Sequence, residues 1–555
     1  MKFRNLTIIS MALFLTMSSC QDMDLTPKTN TSSEDFWKTS NDYKLAANKF
    51  YHYLESFHGS DVLSNYDLKA DLATSYADFN SVSNGRWLPQ ENDAVWSDSY
   101  AQLRQINNLI EHADKMQSQD AEIMRYRAEA LFFRAYVYYR LVSKFGDVPL
   151  ILKVLDINSP ELTMGRTPRN QVEDQILSDL TEAEDYLPKQ TELNKEDGRI
   201  TQGAVLAFKA RAALFFASWG KNHNTRKDFV SLYEVAKQAA EDVMNTNVYE
   251  LYDQKGEDSY RQLFLEAGDG CKEIILARKY GKDVAPGTTH PNNDNVSAGF
   301  MGGATRKFAD MFLDKNGYPI THSSSCFKGY KTPQSEFEDR DPRMTSILQV
   351  PGRSYIYAST NGVPTVCPAK FTGICTTRTG YRLWKYISDL GGLHQGLCYY
   401  DAKLIRYAEV LLIYAEAVYE LKGSISDTDL DRTINLIRKR VGMPALTNAF
   451  VNENGLNMLE EIRRERTIEL SFEATRYDDI RRWKIAEQEL PKNMLGVYWN
   501  SEYADANDDL KPVLENGFIV VEKDRRFNPN RDYLAPLPTK QVSMSNNALQ
   551  QNPNW

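Results

Sequence analysis

Apolar positions along the chain recur at helical spacing. Met124, Ala128, Leu131, Ala135, Tyr138 and Val142 step by four and three residues, which lines one face of an α-helix. Leu404, Ala408, Leu411, Ala415 and Val418 repeat the rhythm. The two stretches align at a constant offset, with Ala128/Ala408, Glu129/Glu409, Leu131/Leu411, Ala135/Ala415, Tyr139/Tyr419 and Leu141/Leu421 as identical pairs. Ala210 and Ala217 carry the same seven-residue alanine spacing in a third segment. Small residues two turns apart let a neighbouring helix approach closely, as tetratricopeptide-like helix pairs require. Further apolar stripes predict helices over Tyr43–His58, Ala101–Lys115, Val172–Leu187, Gly203–Trp219, Leu232–Met244, Leu430–Arg440 and Leu459–Phe472, with Thr201 as an N-cap.

Two stretches break this pattern. Residues 59–96 mix aromatics with polar turn residues, among them Tyr66, Tyr76, Asp78, Arg86 and Trp87. Residues 249–400 are rich in Gly, Pro and Asn, with short β-like runs such as 273–278. Loops this long in a packed protein are functional or disordered, and these are too aromatic for disorder. The chain thus divides into residues 1–19, a signal peptide; 20–40, a tether; 41–248, an N-terminal helical part; 249–400, an irregular region; and 401–555, a C-terminal helical part.

The first thirty residues carry an export signal. Lys2 and Arg4 precede an apolar stretch over 6–17, too short to span a bilayer core of about 30 Å. It ends in Met17-Ser18-Ser19-Cys20, which resembles a bacterial lipobox, with Met17 and Ser19 departing from the usual Leu and Gly/Ala. Cys20 is the expected acylated N-terminus, and an ordinary signal peptide would leave it unexplained. Five other cysteines remain: Cys271, Cys326, Cys367, Cys375 and Cys398. An odd number leaves at least one free in an oxidising compartment, with room for a local disulfide.

The 555 residues carry a net charge of −9 with no Lys/Arg block, which argues against nucleic acid as a partner. No nucleophile elbow, Walker loop, dinucleotide fingerprint or HExxH is present, so no enzymatic activity is expected. Asp505-x-Asn507-x-Asp509 imitates a calcium loop, but Leu510 stands where Gly is required and Asn516 where the bidentate Glu belongs. No cofactor or metal is expected, and calcium is the weak exception.

Several segments resemble the SusD/RagB family of Bacteroidetes nutrient-binding lipoproteins. They are Phe36-Trp37 with Asp42-Tyr43, the Arg340-Asp341-Pro342-Arg343 run, the helix over 404–417, residues 435–442, 462–470, 476–483, 533–538 and the ending 551–555. They stand in family order over essentially the whole chain. The resemblance implies a mainly α fold, with tetratricopeptide-like pairs as scaffold and an irregular region carrying the ligand site. It also implies outward-facing attachment to the outer membrane and a SusC-like TonB-dependent transporter as partner. Glu409, Glu416, Arg463, Glu465, Arg466 and Glu469 read as scaffold residues in i,i+3 and i,i+4 pairs.

The expected ligand is an oligosaccharide, whose apolar C–H faces and hydroxyl rims call for aromatic platforms beside amide, carboxylate or guanidinium groups. Oligopeptide capture is the rival within the family, and a scaffold without a small ligand the rival outside it. Trp87, with Arg86, Tyr76 and Asp78, is the expected first wall of the site, in a context without a packing reason for an exposed tryptophan. Tyr280, His290, Asn292 and Asn293 are candidates for the opposite wall. Trp96, followed by Tyr100, Ile106 and Leu109, reads as a core anchor.

Overall fold

The computed structural model describes residues 36–58, 63–75, 79–116, 120–193, 198–281, 289–297, 301–356, 364–366, 377–388, 390, 396–500, 512–546 and 548–555. The apolar stripes become helices α1 (Ser40–Phe50), α2 (Ala94–Asp114), α3 (Ala121–Phe145), α4 (Arg169–Glu184), α5 (Gln202–His223), α6 (Phe229–Asn245) and α7 (Tyr407–Lys422). Shorter helices follow at α8 (Ile434–Arg440), α9 (Met458–Glu469) and α10 (Arg476–Arg482). Polar side chains mark the starts: the Asp93 carboxylate accepts from the Trp96 N–H, Asp120 from Glu122 and Ile123, and Thr201 from Ala204. Gly146 and Gly423, both at positive φ, mark the ends of α3 and α7.

Each helix packs on the next: α2 on α3, α3 on α4, α4 on α5, α5 on α6, α6 on α7, and α7 on α9. Ala128, Ala135, Ala210, Ala217, Ala408 and Ala415 are all fully buried, so the repeated alanines lie at helix contacts. α5 is apolar nearly all round and buried along most of its length, as befits the middle of such an array. Trp96 is core, packing edge-on to Phe145 at 5.3 Å. Among the described residues no helix is long and apolar enough to cross a membrane.

Strands are short and antiparallel. β1 (Ala73–Ser75) pairs with β3 (Met301–Ala304), and β2 (Ile274–Arg278) with β6 (Ala402–Arg406). β4 (Ser354–Ile356) pairs with β5 (Pro364–Val366), while β7 (Met494–Tyr498), β9 (Phe518–Glu522) and β8 (Leu514–Glu515) form a three-stranded sheet in that order. The β2–β6 pair delivers the chain from the irregular region into α7.

Three expected helices are shorter than their stripes, and the first, Tyr43–His58, ends at Phe50 in a 3-10 turn over Tyr51–Tyr53. Thr433 breaks Leu430–Arg440 into two pieces, with φ −133° and ψ −96°. The Leu459–Phe472 stripe stops at Glu469, and Phe472 and Ala474 adopt positive φ. There the Ser471 and Phe472 carbonyls accept from the Lys385 ammonium (2.7 Å) and the Tyr386 hydroxyl (3.0 Å). Tertiary partners replace the helical hydrogen bonds at this turn.

The charged helix residues also differ from expectation, because their principal partners lie on other elements. Arg406 is fully buried and donates to Glu273 (2.7 Å), Glu469 (2.6 Å) and Glu473 (2.7 Å). Arg440 reaches Glu469 and Glu273, and Arg343 pairs with Asp341, Glu465 and Glu469. Arg438 holds Glu465 and Lys385 holds Glu473. A second cluster joins Arg482 to both oxygens of Glu416 (2.5 and 2.7 Å) and to Asp479, which also accepts from Arg466. Long-range pairing wins because buried charges need complete compensation, which one neighbour a turn away cannot supply.

Burial works to raise the Glu416 pKa, but Arg482 outweighs it and holds the carboxyl down at about 2. Arg482→Met should cost about 3–5 kcal/mol in urea denaturation, because it strands that carboxylate. The carboxylate's contribution is fully present above the ordinary value of 4.5 and is lost as pH falls towards 2, so Glu416→Gln should flatten the acid limb of stability in that window. Asp67 behaves oppositely. It is fully buried, one carboxylate oxygen lacks a partner, and burial lifts its pKa to about 7 despite the backbone N–H of Arg476. Its ionisation destabilises the fold as pH rises from the ordinary 3.8 to 7. Asp67→Asn should therefore stabilise by about 1–3 kcal/mol at pH 8 and by little at pH 4, read as melting temperature against pH.

Candidate ligand-binding cleft

The aromatic loop is built by local turns and then tied to the C-terminal sheet. Asn80 Oδ1 accepts from the Val82 and Ser83 N–H groups, and the Ser81 carbonyl accepts from Arg86 and Trp87. Gly85 sits at φ +71°, and a Cβ there would lie 2.3 Å from the Arg526 carbonyl oxygen, so only glycine fits. The Asn84 amide donates to Glu522 on β9 at 2.7 Å. These contacts place Trp87 at the edge of a cleft of about 390 Å³.

Leu88 and Gln90 stand at the exposed mouth beside Trp87. α3 contributes Tyr139 and Arg140, α5 contributes Arg211, and α10 contributes Tyr477 and Arg481. Arg140 makes no ion pair among the described residues, which leaves its donors for a ligand. The cleft therefore joins an indole, phenol rings, guanidinium groups and the Gln90 amide, the mixture that hydroxyl-rich ligands need. Asp478 is held by Arg481 (2.5 Å), Asp479 by Arg482 (2.8 Å) and Glu409 by Arg211 (2.5 Å). Burial pushes the Glu409 pKa up, but Arg211 prevails and keeps it below the usual range, the reverse of a general acid.

Trp87 is half-buried and has packing partners that its sequence context did not reveal. Its Nε1–H donates to Asp532 at 3.4 Å, and its ring meets Trp555 edge-on at 4.9 Å. Arg86 is exposed and its guanidinium donates to the Asp524 carbonyl (3.4 Å). Tyr76 and Asp78 lie outside the described residues, as do Cys20, Cys367, Cys375 and the Asp505–Leu510 segment. Among the described residues no cluster of three or more His, Cys, Asp or Glu is placed to hold a metal.

The expected opposite wall is not where the cleft is. Tyr280, His290, Asn292 and Asn293 are buried and line no part of it. The Tyr280 hydroxyl accepts from the Phe57 N–H (3.1 Å), and the Asn292 amide donates to the Tyr400 hydroxyl (3.1 Å). Asn293 Oδ1 accepts from the Ser388 N–H at 2.9 Å. His290 donates from Nε2 to the Tyr400 carbonyl and accepts at Nδ1 from the Asn292 N–H, and burial lowers its pKa to about 3. These residues meet one another's polar groups inside the core, which explains them without a ligand.

One aromatic surface escaped the sequence reading. Tyr330 and Tyr498 stack at 5.0 Å with Phe518 edge-on to both, and Arg306 lies over Tyr330 and Phe518. Tyr498 is 38% exposed at the end of β7. The run Tyr498-Trp499 was its only local signal.

A helical-pair scaffold presenting a loop-rimmed polar and aromatic cleft defines a binding protein. Residues 272–555 match the SusD family, and residues 26–214 match the family described as "Starch-binding associating with outer membrane". The chain belongs to the SusD family. It is 26% identical over 571 residues to SusD-like protein P2 of Formosa agariphila, covering 100% of both chains. It is 24% identical to a SusD-like protein of Bacteroides ovatus, over 79% of this chain and 73% of the relative. A SusD-like protein from Bacteroides fragilis superposes with a TM-score of 0.75 at 25% identity, covering 94% of this chain and 99% of that one. A SusD-like carbohydrate binding protein from the same organism gives 0.73 at 23% identity, covering 93% and 99%.

The Trp87–Trp555 contact predicts energetic coupling. Trp87→Ala and Trp555→Ala should each lower the melting temperature by a few degrees. A double-mutant cycle should return a coupling of about 0.5–1.5 kcal/mol.

Proposed function

We propose that the protein is a lipid-anchored, outward-facing outer-membrane protein that captures oligosaccharide and passes it to a SusC-like TonB-dependent transporter. The observation that carries this reading is the match of residues 26–214 to the starch-binding, outer-membrane-associating family, because that stretch holds the Trp87 loop and the α3 side of the cleft. A sugar face packs on the indole while Arg140 and Gln90 reach its hydroxyls. Capture needs no acid–base pair, and Asp478, Asp479 and Glu409 in the cleft are each held by an arginine. Acylated Cys20 anchors the chain, since several acyl chains at roughly 0.8 kcal/mol per buried CH₂ hold stably where one does not.

The test is a titration of the chain lacking residues 1–20 against a panel of neutral and acidic glycans and a peptide library. Glycan binding is expected, and Trp87→Ala should weaken it by about 1–3 kcal/mol when measured well below that variant's melting temperature. Peptide binding with no glycan binding would refute the reading. Cys20→Ala should move the protein from the membrane fraction to the soluble one, and retention in the membrane would refute the anchor.

A further inference from the structure

The three-stranded sheet carries a row of side chains that the Trp87 cleft does not use. Tyr498 on β7, Phe518 on β9 and Glu515 on β8 stand opposite one another across the strands, and none of them lines that cleft. Of the aromatic residues described, only Tyr186 and Tyr498 are more than a third exposed, and of these two only Tyr498 stands in a ring cluster. A single exposed ring is ordinary. This one is fixed from several sides, as a free surface ring is not.

Tyr330 stacks on it nearly parallel, at 10° and 5.0 Å, and Phe518 meets it edge-on at 5.4 Å. Tyr330 is held in turn by the buried Arg306, which donates to its hydroxyl, pairs with Glu336 at 3.1 Å and lies over both the Tyr330 and Phe518 rings. The two-residue turn Asn516-Gly517 between β8 and β9 closes on the same ring. Both its residues have positive φ, and a Cβ on Gly517 would lie 2.3 Å from the Tyr498 ring. The Gly517 carbonyl accepts from the Trp499 N–H at 2.8 Å, which ties the turn to the end of β7.

Polar groups border the rings. Lys331, next to Tyr330, is exposed and makes no ion pair among the described residues, and its carbonyl accepts from the Asn500 amide at 3.0 Å. At the other end of the row, Glu515 accepts from the Asn493 amide at 2.6 Å. We propose that this platform is a second glycan contact, on which a pyranose ring of a neutral polysaccharide lays its apolar C–H face against Tyr498. The assignment rests on the reading that the protein captures glycan. Lys331 and Glu515 are placed for the hydroxyls, and charges of opposite sign at the two ends favour neither an anion nor a cation. Adjacent strands lie about 4.8 Å apart, so the row from Tyr498 to Glu515 runs roughly 10 Å, long enough for more than one ring of a chain.

Affinity electrophoresis of the full chain in mild detergent tests this, in gels containing starch, laminarin, xylan or galactomannan. Retardation by at least one of the four is expected. Tyr498→Ala and Tyr498→Thr should each weaken it at least about 5-fold, with the melting temperature nearly unchanged. Tyr498→Phe should bind as the wild type does, because the ring face is what the sugar meets. Loss of binding in the Tyr498 variants but not in Trp87→Ala would support the platform and refute the Trp87 cleft, whereas the converse would refute the platform alone. The proposal is also overturned if the folded wild type is retarded by none of the four polysaccharides. A wild-type dimer in sedimentation that Tyr498→Ala dissociates would overturn it too, since the surface would then hold a second copy of the chain.

Discussion

The fold turns on a buried, charge-balanced network. Five cations (Arg343, Lys385, Arg406, Arg438 and Arg440) meet five anions (Glu273, Asp341, Glu465, Glu469 and Glu473) in the interior. Its members come from the residue before β2, the Arg340–Arg343 run, the stretch 381–388, the end of β6, α8, α9 and the turn after it. Removing charges from water costs several kcal/mol per ion, so such a network adds little to stability against a well-packed apolar alternative. Each segment brings a charge that the others balance, so displacing any one of them would leave a buried charge unpaired. The irregular region is held to the helical array in this way although it has few long elements of its own.

The helical array depends on a different economy. Fully buried alanines at Ala128, Ala135, Ala210, Ala217, Ala408 and Ala415 allow close helix approach. The equivalent glutamates Glu129 and Glu409 each accept a bidentate arginine from elsewhere, Arg199 for the first and Arg211 for the second. The repeat thus carries its own pattern of charge compensation, and Arg211 brings that pattern to the wall of the Trp87 cleft.

The C-terminal segment connects these features. Asp532 and Trp555 hold Trp87, and the Tyr533 carbonyl accepts from Arg481. A stretch with almost no regular secondary structure therefore shapes the Trp87 cleft. Its rigidity comes from hydrogen bonds to distant backbone, such as the Asn552 amide to the Phe145 and Ala535 carbonyls.

Periodicity alone determined the helices, because a helix facing a core must repeat its apolar residues every three to four positions whatever it packs against. The Thr201 cap and the Trp96 anchor were legible for the same local reason. The ordered motifs from Phe36 to Trp555 carried the family. Only the tertiary structure decided how the charges pair, since the partners of Arg406 lie 63 to 133 residues away. It also decided the site. Trp87 was legible as a loop tryptophan, but Asp532 and Trp555, its partners, stand more than 400 residues further on. Tyr280, His290, Asn292 and Asn293 have the composition of a polar aromatic site, and burial among complementary groups makes them core instead. Residue type states what a side chain can bond, and the fold alone states whether those bonds are already made.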